Sequence, residues 1–162
     1  MLLPASYAAG QALQDIYVPE ALSGRFTQKK EIKAAGITLQ SEGSFSISKD
    51  KGIVWTVEKP ISSSIALGPG AQLEGGDIAK QVAAIMQGLL VQDFSLLSKY
   101  FDVAHTKTPN GFEVRLKTTD SAIARIFSEI VIKGGRHVQA VTLSNPQGDL
   151  TTISFMDIKE SA

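Results

Sequence analysis

Short stretches in which apolar and polar residues alternate dominate this chain. The cleanest covers residues 112–117, where Phe, Val and Leu alternate with Glu, Arg and Lys. Successive side chains of a strand point to opposite faces, so this spacing predicts an antiparallel strand with one buried and one solvated side. A second pattern, Gly-x-Phe-x-Ile at 43–47 followed by alternating apolar residues at 53–57, predicts a hairpin with its turn at 50–52.

Nine strands are predicted in total, separated by residues typical of turns. They cover 22–32, 37–48, 52–59, 62–67, 101–106, 112–117, 126–132, 138–143 and 150–156. Pro60 closes the third strand, and Asn110-Gly111 forms the turn before the sixth.

Helical spacing appears in four places. Residues 5–17 predict an N-terminal helix, 94–100 a short helix, and Ser121 is expected to cap a helical turn that ends at Ala124. The strongest pattern follows Asp77, a second candidate cap. There one apolar stripe is formed by Ile78, Val82, Ile85, Met86 and Leu89, with Lys80, Gln81 and Gln87 on the other faces.

These elements predict a mainly β fold with helices, of the α+β class. A sheet of nine antiparallel strands has to curl, because its edges and its apolar face need cover. We therefore expect a single domain over 1–162: an incompletely closed antiparallel β-barrel capped by a helical lid at about 77–100.

Composition excludes several classes of function. Lys+Arg and Asp+Glu are both 16, so no net field attracts nucleic acid, and 43% hydrophobic residues exclude disorder. The absence of cysteine removes disulfides and thiolate chemistry. The first residues lack the basic region and apolar core of a signal peptide, so an exported protein would already have lost its leader.

Candidate catalytic and metal-binding residues are sparse. His105 and His137 have no metal-ligand partner at helical spacing, and a role as exposed turn or strand-end residues is the simpler interpretation of both. No serine lies in Gly-x-Ser-x-Gly, and the glycine clusters lack the Lys-Ser/Thr of a phosphate loop. The aspartates stand mostly at predicted caps and turns. We predict no enzyme, no cofactor and no metal.

A basic cluster on and just after the first predicted strand has two interpretations. It consists of Arg25, Lys29, Lys30 and Lys33, without the interleaved aromatic residues of a single-strand nucleic-acid site. We expect a solvated strand edge that opposes aggregation rather than a binding patch.

The remaining candidate site is apolar. For any one residue an ordinary core position is the simpler interpretation, but a curled sheet under movable helices is also able to hold an acyl chain. The predicted cavity is lined by Phe45, Ile47, Ile53, Trp55, Val57, Ile65, Ile78, Val82, Ile85, Met86, Leu89, Phe112, Val114, Leu116, Ile153 and Phe155.

Several of these residues recur in an order that resembles a known family. Phe26-x-Gln28, then Gly43-x-Phe-x-Ile, then an apolar residue two before Trp55, then Pro60, and the late strand at 149–155 are similar to the periplasmic outer-membrane lipoprotein carriers, the LolA family. The family's Arg-Pro pair, whose Arg helps to latch the lid, is replaced here by Lys49-Asp50.

The resemblance implies a periplasmic carrier that holds a lipid or acyl chain, such as that of a lipoprotein. It would receive this cargo from an inner-membrane donor and deliver it to an outer-membrane acceptor. The alternative is a non-transporting interaction module of the cell envelope with a filled core, associated with lipid or polysaccharide biosynthesis. An esterase built on one of the histidines ranks last.

Overall fold

The computed structural model describes residues 20–48, 50–67, 83–87 and 98–161. Nine strands account for most of them. These are β1 Ala21–Ile32, β2 Ile37–Ser48, β3 Gly52–Lys59, β4 Ser63–Leu67, β5 Phe101–Thr108, β6 Gly111–Thr118, β7 Glu129–Gly134, β8 Val138–Ser144 and β9 Leu150–Ser161.

All nine strands belong to one antiparallel sheet in the order β4-β3-β2-β1-β9-β8-β7-β6-β5. Strands that follow one another in sequence are neighbours in the sheet from β1 to β4 and from β5 to β9, and the two halves are joined where β9 pairs with β1. Within the described residues β4 and β5 form the two ends and do not pair with each other, so the barrel is open. The predicted fold class, an incompletely closed antiparallel barrel, is confirmed.

Strand alternation places the core on one face of the sheet, which we call the inner face. On β6, Phe112, Val114 and Leu116 are buried while Arg115 and Lys117 are exposed, as the sequence predicted. The inner face continues through buried residues of β7, β8 and β9 such as Ile130, Val141 and Ile153.

The prediction that β1 is a sheet edge is wrong. All twelve of its residues pair with β2 on one side, and most of them pair with β9 on the other, so β1 lies near the middle of the sheet. The basic residues alone do not reveal that β1 has a partner on each side, because one of those partners, β9, is distant in sequence. Lys29 and Lys30 therefore lie on the two faces of a central strand.

Two local predictions also need correction. Residues 126–128 are not part of β7, which begins at Glu129, because they form the exit from the helical turn Ser121–Ala124. That turn is capped by Asp120, whose Oδ1 accepts hydrogen bonds from the N–H groups of Ala122 and Ile123, and not by Ser121.

The helical predictions are covered only in part. Residues 83–87 and 98–100 are helical, whereas the predicted helix at 5–17 and the rest of 77–97 lie outside the described residues. No helix in the described ranges has the length and hydropathy needed to cross a membrane.

Candidate functional site

Four aromatic side chains meet on the inner face, and we call them the aromatic cluster. They are Phe26 of β1, Phe45 of β2, Trp55 of β3 and Phe155 of β9. Phe26 and Trp55 stack with ring centroids 4.0 Å apart, and Phe155 meets Trp55 edge-on at 6.1 Å. Stacked and edge-to-face pairs of this kind add to the stability that burial alone provides.

Gly43 is the reason that Phe26 and Trp55 can touch. It lies on β2 between their strands, paired with Phe26 on one side and with Val57 on the other. A Cβ atom at this position would lie 3.0 Å from the Phe26 ring and 1.8 Å from the Thr56 carbonyl oxygen. Because Gly43 has no side chain, a gap remains on β2 between β1 and β3, and the rings of Phe26 and Trp55 fill it.

Helical residues 83–87 pack in the same interior. Ala83, Ala84, Ile85 and Met86 are buried and belong to one apolar cluster with the residues of the sheet. Gln87 is buried as well, at 3% exposure, so this segment is covered on all sides. Ile85 and Met86 of the predicted stripe are buried, but Gln87, which was predicted on another face of the helix, is buried as well, so residues 83–87 present no solvated face.

The predicted cavity residues fall into three groups. Most are buried, whereas Val57, Ile65 and Phe155 are partly buried and form an apolar rim. Ile78, Val82 and Leu89 lie outside the described residues. The buried group consists of Phe45, Ile47, Ile53, Trp55, Ile85, Met86, Phe112, Val114, Leu116 and Ile153.

A cleft of about 570 Å³ opens where β1 and β9 change register, and we call it the bulge cleft. Asp157, with φ of +52°, lies on its β9 side, and Phe45 is the one predicted cavity residue in its lining. A Cβ atom on Gly24 would lie 3.0 Å from both Phe45 and Ile158. The bulge cleft thus reaches the aromatic cluster from the surface.

A larger groove of about 880 Å³ lies on the opposite face of β9, β1 and β2, and we call it the outer groove. It is lined by Thr27, Gln28, Lys29, Gln40, Ser41, Glu42, Lys59, Pro60, Thr152 and Ser154. None of the predicted cavity residues contributes to it. It is separated from the aromatic cluster by the thickness of the sheet.

The charged contacts near the clefts are exposed ion pairs. Arg25 donates to Glu58 at 2.7 Å across the outer face, and this hydrogen bond lowers the pKa of Glu58 below its usual value. Lys59 lies 3.6 Å from Glu42. Exposed pairs of this kind contribute little to stability.

The two histidines differ from the expected exposed positions. His137 is 21% exposed and contacts the Glu160 carboxylate, which also accepts two hydrogen bonds from Arg136. These donors, Arg136 first, lower the pKa of Glu160 to about 2. His105 stacks on Phe112, with ring centroids 6.5 Å apart. Among the described residues no group of His, Cys, Asp or Glu has the geometry of a metal site.

Phe26 of the aromatic cluster and the adjacent Gly43 were not predicted as site residues. Phe26 was noted only as a motif residue, although alternation places it on the same face as buried Leu22. Gly43 was assigned no spatial role, because its function depends on the strands on either side.

Comparison with known proteins gives a family match. The family model for "Outer membrane lipoprotein carrier protein LolA" matches residues 19–162. No curated protein matches the sequence.

Three solved structures are similar to this chain at very low sequence identity. A LolA superfamily protein from Nitrosomonas europaea is 6% identical, with 99% of this chain and 95% of that chain covered and a TM-score of 0.45. An outer membrane lipoprotein-sorting protein domain from Vibrio parahaemolyticus is 9% identical, with 96% and 93% covered and a TM-score of 0.46. A DUF1329 family protein from Desulfovibrio piger is 9% identical, with 98% and 92% covered and a TM-score of 0.37.

Proposed function

Since this chain belongs to the LolA family of outer membrane lipoprotein carrier proteins, we propose that it is a periplasmic carrier that binds an acyl chain on the inner face of its sheet. The cargo is a lipoprotein or another acylated molecule of the cell envelope. The whole chain acts as one carrier domain, and it performs no catalysis.

The observation that supports this proposal is the aromatic cluster with its apolar rim. Phe26 and Trp55 form a flat apolar floor, and partly buried Phe155, Val57 and Ile65 surround it. An acyl chain is flexible and apolar, so it needs a surface of this composition and few fixed polar contacts.

Helical residues 83–87 supply the competing occupant of the interior. An acyl chain that displaces them replaces one set of apolar contacts with another, and each buried methylene contributes about 0.8 kcal/mol. Because the helix and the cargo bury similar surfaces, the net affinity is moderate, as a carrier that must release its cargo requires. Met86 adapts its shape to either arrangement.

The full burial of residues 83–87 also favours the second candidate, a non-transporting interaction module of the envelope. In that case the helix is a permanent part of the core and the protein takes up no acyl chain. Uptake of acyl ligand separates the two functions.

The test uses Trp55, the single tryptophan of the chain. Dibrominated stearic acid quenches indole fluorescence on contact, and unbrominated stearic acid serves as the control ligand. We expect saturable quenching of Trp55 by the brominated ligand alone. An absence of quenching in the folded protein would contradict the carrier and favour the interaction module.

A matched pair of variants tests on which face of the sheet the acyl chain binds. Phe155→Asp introduces a charge beside Trp55 on the inner face, and we expect it to abolish quenching. Val54→Asp introduces the same charge on the outer face, where Val54 is 44% exposed, and we expect quenching to persist. Far-ultraviolet circular dichroism establishes that both variants are folded.

A further inference from the structure

The turn between β1 and β2 projects beyond the strands beside it, together with the strand ends that lead into it. Among the described strands, β9 accompanies β1 only as far as Glu31, and β3 accompanies β2 only from Glu42 onward. All of residues 33–40 are exposed, and a Cβ atom on Gly36 in the turn would have open space around it. We call residues 32–40 the hairpin tip.

The hairpin tip is amphipathic. Ile37 and Leu39 are 48% and 52% exposed and share one face, where half-buried Ile32 pairs with Ile37. Thr38 and Gln40 occupy the other face. An apolar patch with polar residues around it is a feature of interaction sites, and the same separation of faces allows amphipathic helices to lie in a lipid interface.

Three lysines lie at the base of the hairpin tip and in its turn. Lys29 and Lys30 are on opposite faces of β1, and Lys33 begins the turn. Residues 29–40 contain these three lysines and one acid, Glu31, so they carry a net charge of +2. Within the described part of the chain none of the three ammonium groups takes part in an ion pair. A chain with no net charge therefore has a locally basic end.

Asp149 holds the turn in place from the side of β9. One carboxylate oxygen, Oδ1, accepts a hydrogen bond from the Lys33 N–H at 3.0 Å, and Oδ2 accepts one from Asn145 Nδ2 at 3.1 Å. The carboxylate reduces the local positive charge by one. The Lys33 side chain extends toward the turn between β8 and β9, because its Cδ lies 2.9 Å from the place that a Cβ atom on Gly148 would take.

We propose that the hairpin tip docks on an anionic lipid surface, with Ile37 and Leu39 inserted at the boundary between headgroups and acyl chains. A strand advances about 3.3 Å per residue, so Lys30, which faces Leu39, lies about 7 Å from the level of Ile37. Interfacial apolar residues enter about 5–10 Å into this boundary. The spacing therefore brings Lys29 and Lys30 to the level of the lipid phosphates, and their long side chains keep the ammonium groups there.

A lipid surface fits the hairpin tip better than a protein does. A stable protein interface takes about 800 Å² and about 20–30 residues from each partner, whereas the tip is a narrow projection of nine residues. A lipid surface deforms around such a projection and needs no matching cavity. Each lysine near anionic lipid strengthens binding about fivefold. Two tips of the same protein would instead bring like charges together.

The test measures how much protein sediments with lipid vesicles. Vesicles of phosphatidylcholine with about one third phosphatidylglycerol are anionic, and vesicles of phosphatidylcholine alone are the neutral control. We expect binding to the anionic vesicles to be at least fivefold stronger than binding to the neutral ones. The preference should decrease in about 1 M salt, where charges are screened beyond about 3 Å.

Two matched pairs of variants locate the contact. Leu39→Gln removes an apolar side chain from the tip and is expected to weaken vesicle binding at least threefold. Val54→Gln, at a 44% exposed position on the outer face of β3, should leave it unchanged. Lys30→Gln is expected to weaken binding to the anionic vesicles about fivefold. Lys117→Gln, at an exposed position of β6, is the matched change of charge and should have no effect.

The sequence has no cysteine, so a single labelled cysteine reports insertion directly. Ala35→Cys places the label in the hairpin tip, and Asn110→Cys places it in the β5–β6 turn at the opposite end of the sheet. With the environment-sensitive fluorophore NBD, we expect anionic vesicles to shift the emission to the blue at position 35 only.

Vesicle docking is independent of the proposed carriage of an acyl chain. Phe155→Asp is expected to lose uptake of brominated stearic acid and to keep vesicle binding. Leu39→Gln is expected to show the reverse. A failure of acyl carriage and a failure of docking are therefore distinguishable.

Three results would overturn the proposal. The first is a lack of preference for anionic over neutral vesicles, which includes binding to neither. The second is vesicle binding by Leu39→Gln at the wild-type level. The third is a blue shift at position 35 that occurs without lipid and accompanies a dimer in sedimentation velocity, which would assign the hairpin tip to a second copy of the chain.

Discussion

Phe26 and Trp55 stack at 4.0 Å although their strands, β1 and β3, are not neighbours. The two rings lean across β2 at Gly43, the position that has no side chain. Their planes differ by 17°, so the contact is a close parallel stack. This relationship joins three strands at the point where we propose that cargo binds.

Gly43→Ala is expected to destabilise the protein by roughly 1–3 kcal/mol, the usual cost of overpacking. The added methyl would overlap the Thr56 carbonyl oxygen and press on the Phe26 ring. Urea unfolding measures the loss, and Trp55 emission should shift to the red as the stack opens. Gly36→Ala is the control: Gly36 has φ of +63° and open space around it, so it should cost about 1 kcal/mol without changing the emission.

Phe26→Ala is expected to lower the free energy of unfolding by roughly 3–5 kcal/mol. Phe26 is 1% exposed, and its ring stacks on Trp55 with centroids 4.0 Å apart. Chemical denaturation followed by circular dichroism checks the value. Val54→Ala, on the exposed face of β3, should change stability by less than about 0.5 kcal/mol. Similar losses of stability in Phe26→Ala and Val54→Ala would contradict the buried packing of Phe26 against Trp55.

Asp120→Ala is expected to cost about 0.5–2 kcal/mol, because it removes the side-chain cap of the turn Ser121–Ala124. Two N–H groups, of Ala122 and Ile123, lose the carboxylate oxygen that now accepts from them. Ser121→Ala should be nearly neutral. The melting temperatures of the two variants show which residue caps the turn. A larger loss of stability from Ser121→Ala would mean that the cap is misassigned.

Glu160 is expected to make stability depend on acid pH. Its pKa in the folded protein is lowered from 4.5 to about 2 by hydrogen bonds from Arg136 and His137. A lowered pKa stabilises the folded state above the unfolded pKa, and the contribution disappears as pH falls from about 4.5 to 2.

The measurement is the melting temperature of wild type and Glu160→Gln across this pH range. We expect the variant to melt lower at neutral pH and the difference to shrink toward pH 2. Glu31→Gln, at an exposed position of β1, is the control and should follow the wild type. A difference between Glu160→Gln and wild type that is independent of pH would show that the carboxylate charge is not the cause.

The strands were predictable because alternation is a local property. The bounds of β2 and β3 match the prediction, and the inner-face positions of β6 do as well. The start of β7 was missed by three residues, because Ile126 and Phe127 are apolar for packing around a helical turn and not for a strand. Local pattern cannot separate those two reasons for an apolar residue.

By itself, the sequence determined the antiparallel strands, the open mainly β class and the family, because strand periodicity and turn residues act over a few positions. Only the tertiary structure decided that β1 is central and that Gly43 lets Phe26 meet Trp55. Each of these depends on the pairing of strands distant in sequence. Register between such strands follows from packing of the whole sheet, which no local pattern contains.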